Sequence, residues 1–298
     1  MGVLLGNGNG TFQPPAFYTV GSSSNTPTSL TTGDFNHDGK LDVAVANTGD
    51  NTISILLGNG SGTLVASGAP IGVGHDPEAI RAGDFNADGY SDLAVANYRD
   101  GTVTTLLNNQ NGTFTATTIS VGSGVNSGPQ ALAIVGSGSS LQLAVANYRD
   151  NTVSVLKSNG SGAFGAQTIV AVGRGPDDVS FADFNGDGVE DLVVSNYTDG
   201  SVDLLLGSSG GSYTLVGPFT VGNNPYSAAV GDLDLDGTPD LVVSNCFSNN
   251  TGVLRSGRQI SVPYTGLSLT PGDTLHAVYT PDGASKYGTS TSANVTAP

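Results

Sequence analysis

The chain has 298 residues, with 25 acidic against nine basic side chains, a formal net charge of −16, 44 glycines, no tryptophan and one cysteine. Nucleic-acid recognition needs clustered Lys and Arg, so that partner is excluded, and an anionic membrane surface is disfavoured for the same reason. No apolar run is long enough for membrane insertion, and a lone Cys246 supports neither a disulfide framework nor a Cys-based zinc site.

The amino terminus, Met1-Gly-Val-Leu-Leu, lacks the basic start and sustained apolar run of a signal peptide. It begins inside a repeat, because Val3 to Phe12 matches Ile55 to Leu64. The chain therefore reads as a fragment of a larger secreted or surface protein. The first complete repeat predicts four strands: Ser29 to Gly33, Leu41 to Asn47, Thr52 to Leu57, and Leu64 to Val73. In the second of these, Val43 and Val45 point to one face and Ala44 and Ala46 to the other. Both faces are apolar, so the strand is expected to be covered on both sides.

Between the first two strands lies Asp34-Phe-Asn-His-Asp-Gly-Lys-Leu-Asp42, which returns at Asp84–Asp92, Asp183–Asp191 and Asp232–Asp240. Thirteen of the acids occupy its first, third, fifth and ninth positions. Calcium takes six to eight oxygens, and this spacing supplies them. Side chains come from Asp34, Asn36, Asp38 and Asp42, with the Lys40 carbonyl as a further ligand. The second loop offers Asp84, Asn86, Asp88, Tyr90 (carbonyl) and Asp92; the third offers Asp183, Asn185, Asp187, Val189 (carbonyl) and Asp191. The last offers Asp232, Asp234, Asp236, Thr238 (carbonyl) and Asp240, giving about four calcium sites. An EF-hand is excluded, since its twelfth-position Glu is replaced by Val45, Val95, Val194 or Val243. The aligned stretch Ile134–Gln142 has lost every carboxylate while Leu143-Ala-Val-Ala-Asn147 persists. A unit that keeps its strands without the loop makes calcium structural rather than catalytic.

The second and third strands are joined at Asp50-Asn51, Asp100-Gly101, Asp150-Asn151 and Asp199-Gly200, pairs that suit primed hairpin turns. Gly-Asn-Gly-Ser-Gly-Thr clusters join the third and fourth strands; with no following helix they are turns rather than phosphate loops. Four-stranded units recurring about every 50 residues predict an all-β propeller. Four complete units, plus half-blades at residues 1–20 and 226–246, predict five blades, closed by pairing the two ends. The propeller is assigned to 1–250 and a β-rich tail to 251–298. In the tail, Leu267 to Thr280 reads as two strands and Ser290 to Thr296 as a third.

The recurrent Asp-Phe-Asn-x-Asp-Gly-x-x-Asp followed by Leu-Ala-Val-Ala-Asn resembles FG-GAP/VCBS repeats, found also in integrin α-subunit propellers. The resemblance covers roughly residues 1–246. It implies a calcium-loaded extracellular propeller used mostly for recognition and sometimes attached to polysaccharide-degrading enzymes. The tail resembles the closing strands of a bacterial immunoglobulin-like domain, about half of which is missing.

Strand parity puts the acidic loops on one face and the hairpins between second and third strands on the other. The hairpin face gathers Tyr98, Arg99, Tyr148, Arg149, Tyr197 and His75, which form the candidate ligand site. The interblade links His75-Asp76-Pro77-Glu78, Pro129-Gln130, Pro176-Asp177 and Pro225-Tyr226 lie on it too. Tyr and Arg are the residues where binding energy concentrates. Asn97 and its equivalents are expected to cap strand ends, and the tyrosines could equally seal blade against blade. None of His37, His75 and His276 sits in a nucleophile motif, and nearly all paired carboxylates are claimed by metal. Cys246 is expected to pack. The resulting expectation is a non-catalytic recognition or adhesion module for a glycan or protein. A polysaccharide lyase or hydrolase and a structural spacer in a large surface protein are the alternatives.

Overall fold

The computed structural model describes residues 1–22 and 26–256, together with two-residue strands at 274–275, 278–279, 290–291 and 295–296. Among these residues the protein is all-β apart from two short 3-10 turns, Thr48–Asp50 and Gly138–Ser140. Five antiparallel sheets follow one another, each in sequence order. The first is Pro27–Gly33, Asp42–Asn47 and Thr52–Gly58, with a fourth strand broken into Leu64–Ala66 and Ile71–Gly72. The second is Pro77–Gly83, Asp92–Asn97, Thr102–Asn108 and Phe114–Ser120, and the third Pro129–Val135, Gln142–Asn147, Thr152–Lys157 and Thr168–Ala171. The fourth is Pro176–Ala182, Asp191–Asn196, Ser201–Gly207 and Tyr213–Thr220, and the fifth Pro225–Gly231, Asp240–Asn245 and Asn250–Leu254.

The two apolar faces of each second strand explain how these sheets stack. Leu93, Ala94, Val95 and Ala96 are all fully buried. Ala44, Ala46, Ile53 and Ile55 of the first blade pack against Ile80, Leu93, Val95 and Leu106 of the second. The same pairing, an alanine-rich face against a branched face, recurs between the second and third blades and between the third and fourth. Between the fourth and fifth blades, Val193 and Val202 meet Ala228, Leu241, Val243 and Leu254. Each large side chain buried in this way contributes about 1.5–3 kcal/mol. First strands of successive blades also lie side by side.

Terminal closure differs from the expectation. Gly2–Val3 and Ala16–Phe17 form a two-stranded sheet of their own. Met1, Tyr18 and Val20 pack on Val45 and Leu56 of the first blade, where a preceding blade would sit. They do not complete the fifth blade, because Asn250–Leu254 already pairs with Asp240–Asn245. That strand crosses the boundary expected at residue 250. Two surfaces that other blades bury are left open: Leu30 is 53% exposed where Ile80 and Leu132 are buried, and Val253 is 53% exposed where Ile55 and Val155 are buried. In the tail, Thr274–Leu275 pairs with Val295–Thr296 and Val278–Tyr279 with Ser290–Thr291. His276 and the rest of the strands predicted over Leu267–Thr280 and Ser290–Thr296 lie outside the described residues.

Two local features position the site. The hairpin between second and third strands is a four-residue loop rather than a two-residue turn, since Asn47 pairs with Thr52. Only its last residue is left-handed: Asn51 has φ 58°, Gly101 66°, Asn151 55° and Gly200 66°. In addition, every first strand carries a β-bulge just after its proline. The ladder skips one residue in each blade: Thr28, Glu78, Gln130, Asp177 and Tyr226.

Candidate functional site

The acidic loops fold on their own carboxylates. Both Asp34 oxygens accept backbone N–H bonds, from Asp38 at 3.1 Å and from Gly39 at 2.8 Å. Asp84, Asp183 and Asp232 do the same in their loops. The left-handed glycine at the sixth position (Gly39, φ 78°) makes this turn possible. The ninth-position carboxylates are buried and tie the loop to the third strand. Asp92 accepts from the Phe85 N–H at 2.9 Å and the Asn108 N–H at 2.8 Å. Asp42, Asp191 and Asp240 make the equivalent pair of bonds.

Electrostatics within these loops favour a cation. Burial pushes Asp92 up to about 6 in spite of its two N–H bonds, with the charges of Asp88 and Asp84 adding to the shift. Asp191 is raised for the same reasons. In the first loop the Lys40 ammonium, 3.1 Å from Asp38, holds that carboxyl below its usual range. In the fourth loop, oxygens of Asp232, Asp234 and Asp240 lie within 4.8 Å of one another. A hard, all-oxygen donor set of this density fits calcium. A bound divalent ion would supply the positive charge that reverses the upward shifts.

Neighbouring loops also touch. His37 stacks on Tyr90 with centroids 4.5 Å apart. The Asn108 amide reaches from the second blade to the Phe35 carbonyl of the first at 2.8 Å, and Ser158 reaches Phe85 in the same way. This face is a braced ring segment of loops.

On the opposite face the candidate ligand residues are mostly tied to each other. His75 pairs with Asp100 at 2.9 Å, not with its neighbour Asp76, which is held by Arg99 at 2.9 Å. Arg149 lies over the Tyr98 ring at 4.5 Å, and Tyr98 is 6.5 Å from Tyr148. Gly128 of the next link sits against Tyr98, and Gly175 against Tyr148. Tyr98 and Tyr148 therefore seal consecutive blades. The Tyr197 carbonyl accepts from Asn224 in the following link. Asn97 acts as expected: its amide donates to Thr102 and Thr104, and the Gly74 N–H donates to its oxygen. A Cβ on Gly74, Gly173 or Gly222 would fall 2.6 Å from the corresponding Asn, which is why these links carry glycine. Cys246, expected to pack, is exposed.

One further group of residues lies in the interblade links. The bulged Thr28, Glu78, Gln130, Asp177 and Tyr226, one from each blade, line a single cavity of about 260 Å3. The signal was present in the chain as a proline followed by a variable residue at the head of every repeat.

The sequence pattern described as FG-GAP-like repeat matches residues 1–45, 34–95, 84–135, 140–194 and 183–243. No curated protein sequence matches the chain. Among solved structures, BBS1N in complex with ARL6DN is 16% identical with a TM-score of 0.57, over 85% of this chain and 71% of that one. A Lactobacillus plantarum protein is 18% identical with a TM-score of 0.55, over 77% and 70%. The Pseudomonas aeruginosa periplasmic gluconolactonase PpgL is 16% identical with a TM-score of 0.59, over 86% and 66%. At these identities the likeness shows the propeller fold. It also corrects one expectation. An enzyme shares this architecture, so the absence of a nucleophile motif gave no ground for calling the chain non-catalytic.

Proposed function

Since the chain belongs to the FG-GAP-like repeat family, we propose that it is a calcium-braced β-propeller that recognises a protein or glycan through its hairpin face. The observation that carries this reading is the division of labour between faces. One face is occupied by carboxylate loops folded on themselves. The other presents tyrosines, arginines and a polar cavity fed by every blade. An extracellular location, where calcium modules work at high ambient calcium, is part of this reading. The BBS1N structure, which contains a protein partner, is an instance of the fold in a protein complex.

Binding to arrays of glycans and of immobilised surface proteins, in millimolar calcium and after chelation, tests the proposal. We expect calcium-dependent binding that is lost in Tyr98→Ala/Arg99→Ala. Binding that survives both chelation and the double substitution would overturn it.

A further inference from the structure

An asparagine followed by glycine can be attacked at its side-chain amide by the next backbone nitrogen, because glycine has no Cβ to block the approach. The chain carries six such pairs, at Asn7, Asn9, Asn59, Asn111, Asn159 and Asn185. The first five lie in Gly-Asn-Gly-type turns and the last in the third acidic loop. All six asparagines are exposed, and all six glycines are left-handed, with φ between 72° and 85°. Folding does not demand the pair in these turns. The fourth-blade turn closes on serine instead: the Ser208 N–H donates to the Ser212 carbonyl at 3.0 Å, and the Ser212 N–H to the Ser208 hydroxyl at 3.2 Å.

Three of the six pairs are arranged for reaction. The Asn59 Oδ1 accepts from the Ser61 N–H and the Ser61 hydroxyl, both at 2.9 Å. The Asn9 Oδ1 accepts from the N–H and hydroxyl of Thr11 at 3.1 and 2.6 Å, and the Asn111 Oδ1 from those of Thr113 at 3.0 and 2.6 Å. Two donors on the carbonyl oxygen draw electrons from Cγ and are already aimed where negative charge develops in a tetrahedral intermediate. Among the described residues no hydrogen bond holds Nδ2 of these three, or the N–H of Gly10, Gly60 and Gly112. Neither leaving group nor nucleophile is tied.

The other three pairs are restrained. Asn159 has its two donors from Ser161 at 2.9 and 2.7 Å, but the Gly160 N–H donates to the buried Ser158 hydroxyl at 3.0 Å. Asn7 donates through Nδ2 to the Thr11 hydroxyl at 2.9 Å. Asn185 is held at both ends: its Nδ2 donates to Asp187 at 3.0 Å, and the Gly186 N–H donates to the Asp183 carboxylate at 2.7 Å.

We propose that Asn9, Asn59 and Asn111 are sites of spontaneous deamidation, while the acidic-loop Asn185 is protected by its own loop. The glycine N–H loses its proton to solvent base and its nitrogen bonds to Cγ. The Cγ–Nδ2 bond breaks, and the amide leaves as ammonia. Water then opens the succinimide at either carbonyl, giving aspartate or isoaspartate. Each event adds one negative charge beside the acidic loops, which these turns adjoin: Gln110, next to Asn111, donates to Asp88 at 3.0 Å.

The test is incubation of the calcium-saturated chain in mildly alkaline buffer, followed by peptide mapping and isoaspartate-specific methylation. We expect Asn9, Asn59 and Asn111 to convert first, Asn7 and Asn159 later, and Asn185 at least tenfold more slowly. In denaturant the six rates should converge, because the fold alone separates them. Ser61→Ala should slow Asn59 severalfold while Asn111 in the same sample keeps its rate. Ser158→Ala should bring Asn159 up to the rate of Asn111. No conversion at the first three sites, conversion of Asn185 at their rate, or the same ranking in denaturant overturns the proposal. An unchanged rate at Asn59 in Ser61→Ala overturns the arrangement on which it rests.

Discussion

In the second blade the loop between first and second strands hangs on Asp92, whose oxygens accept the N–H groups of Phe85 and Asn108. In the third blade the same corner has no carboxylate. There the Ser158 N–H donates to the Leu141 backbone carbonyl at 2.9 Å, and the Leu141 side chain is fully buried. A 3-10 turn with a Ser137/Ser140 capping box replaces the acidic turn, and Gly138 donates to the Asp84 carbonyl of the neighbouring loop. The two blades show that the propeller needs a closed, satisfied corner but not a charged one. In the second blade, where the charge is kept, burial raises Asp92 and leaves it wanting a cation. Where it is lost, an apolar side chain and a backbone bond do the same work. The acidic loop is thus an addition to the blade rather than a condition of it.

The largest expected effect separates the two corners by their metal. Chelation should lower the melting temperature, since a site held at 100 times its dissociation constant adds about 2.7 kcal/mol of stability. Hydrogen exchange should report the loss at the loops 34–42, 84–92, 183–191 and 232–240 and spare 134–142. An identical melt with and without chelator would remove structural calcium from the account.

Single substitutions sharpen the contrast at a smaller scale. Asp92→Ala strands two buried N–H groups, at about 1–3 kcal/mol each. Gln142→Ala, at the matching position, should be nearly neutral, since Gln142 only accepts from the Tyr213 hydroxyl at 3.2 Å. Leu141→Ala should cost about 2–5 kcal/mol through the cavity it leaves, with no dependence on calcium. Equal losses for Asp92→Ala and Gln142→Ala in chemical denaturation would dissolve the distinction.

The smallest effect concerns Glu78 and Asp177 of the cavity, which differ from the loop acids in that, among the described residues, no hydrogen bond or ion pair holds them. Asp177 is raised to about 6 in the fold, so the folded state holds its proton more tightly than the unfolded chain. Its contribution to stability is full below the unfolded carboxylate range and is lost as pH rises through about 6. Asp177→Asn should therefore match the parent near pH 4 and melt slightly higher at pH 7. A variant less stable at pH 7 would show that the carboxylate holds structure after all.

Much of this protein could be read from its residues because the information is local and repeated. Asp34-x-Asn36-x-Asp38-Gly39 determines a turn by itself, through N–H bonds within five residues. Alternation of Val and Ala in the second strands determines which faces meet. What the residues could not show was long-range pairing. Residues 1–20 match the repeat as well as any third and fourth strand do, yet they remain a separate sheet, because Asn250–Leu254 is tethered by a short turn to the strand it pairs with. The Tyr-Arg cluster looked free in one dimension. In three it is paired, Arg99 with Asp76 and Arg149 over Tyr98, because hairpins and links distant in sequence share a face.

The sequence by itself determined the repeat, the all-β blades, and the oxygen-rich loops with their one apolar exception. Each depends on contacts a few residues apart, which spacing alone can specify. Only the tertiary structure decided that the amino-terminal strands form a sheet of their own, which charges are already paired, and that one bulged residue per blade lines a single cavity. Those outcomes depend on residues about 50 positions apart arriving at the same place, and no local pattern encodes where a side chain is aimed once five strands surround it.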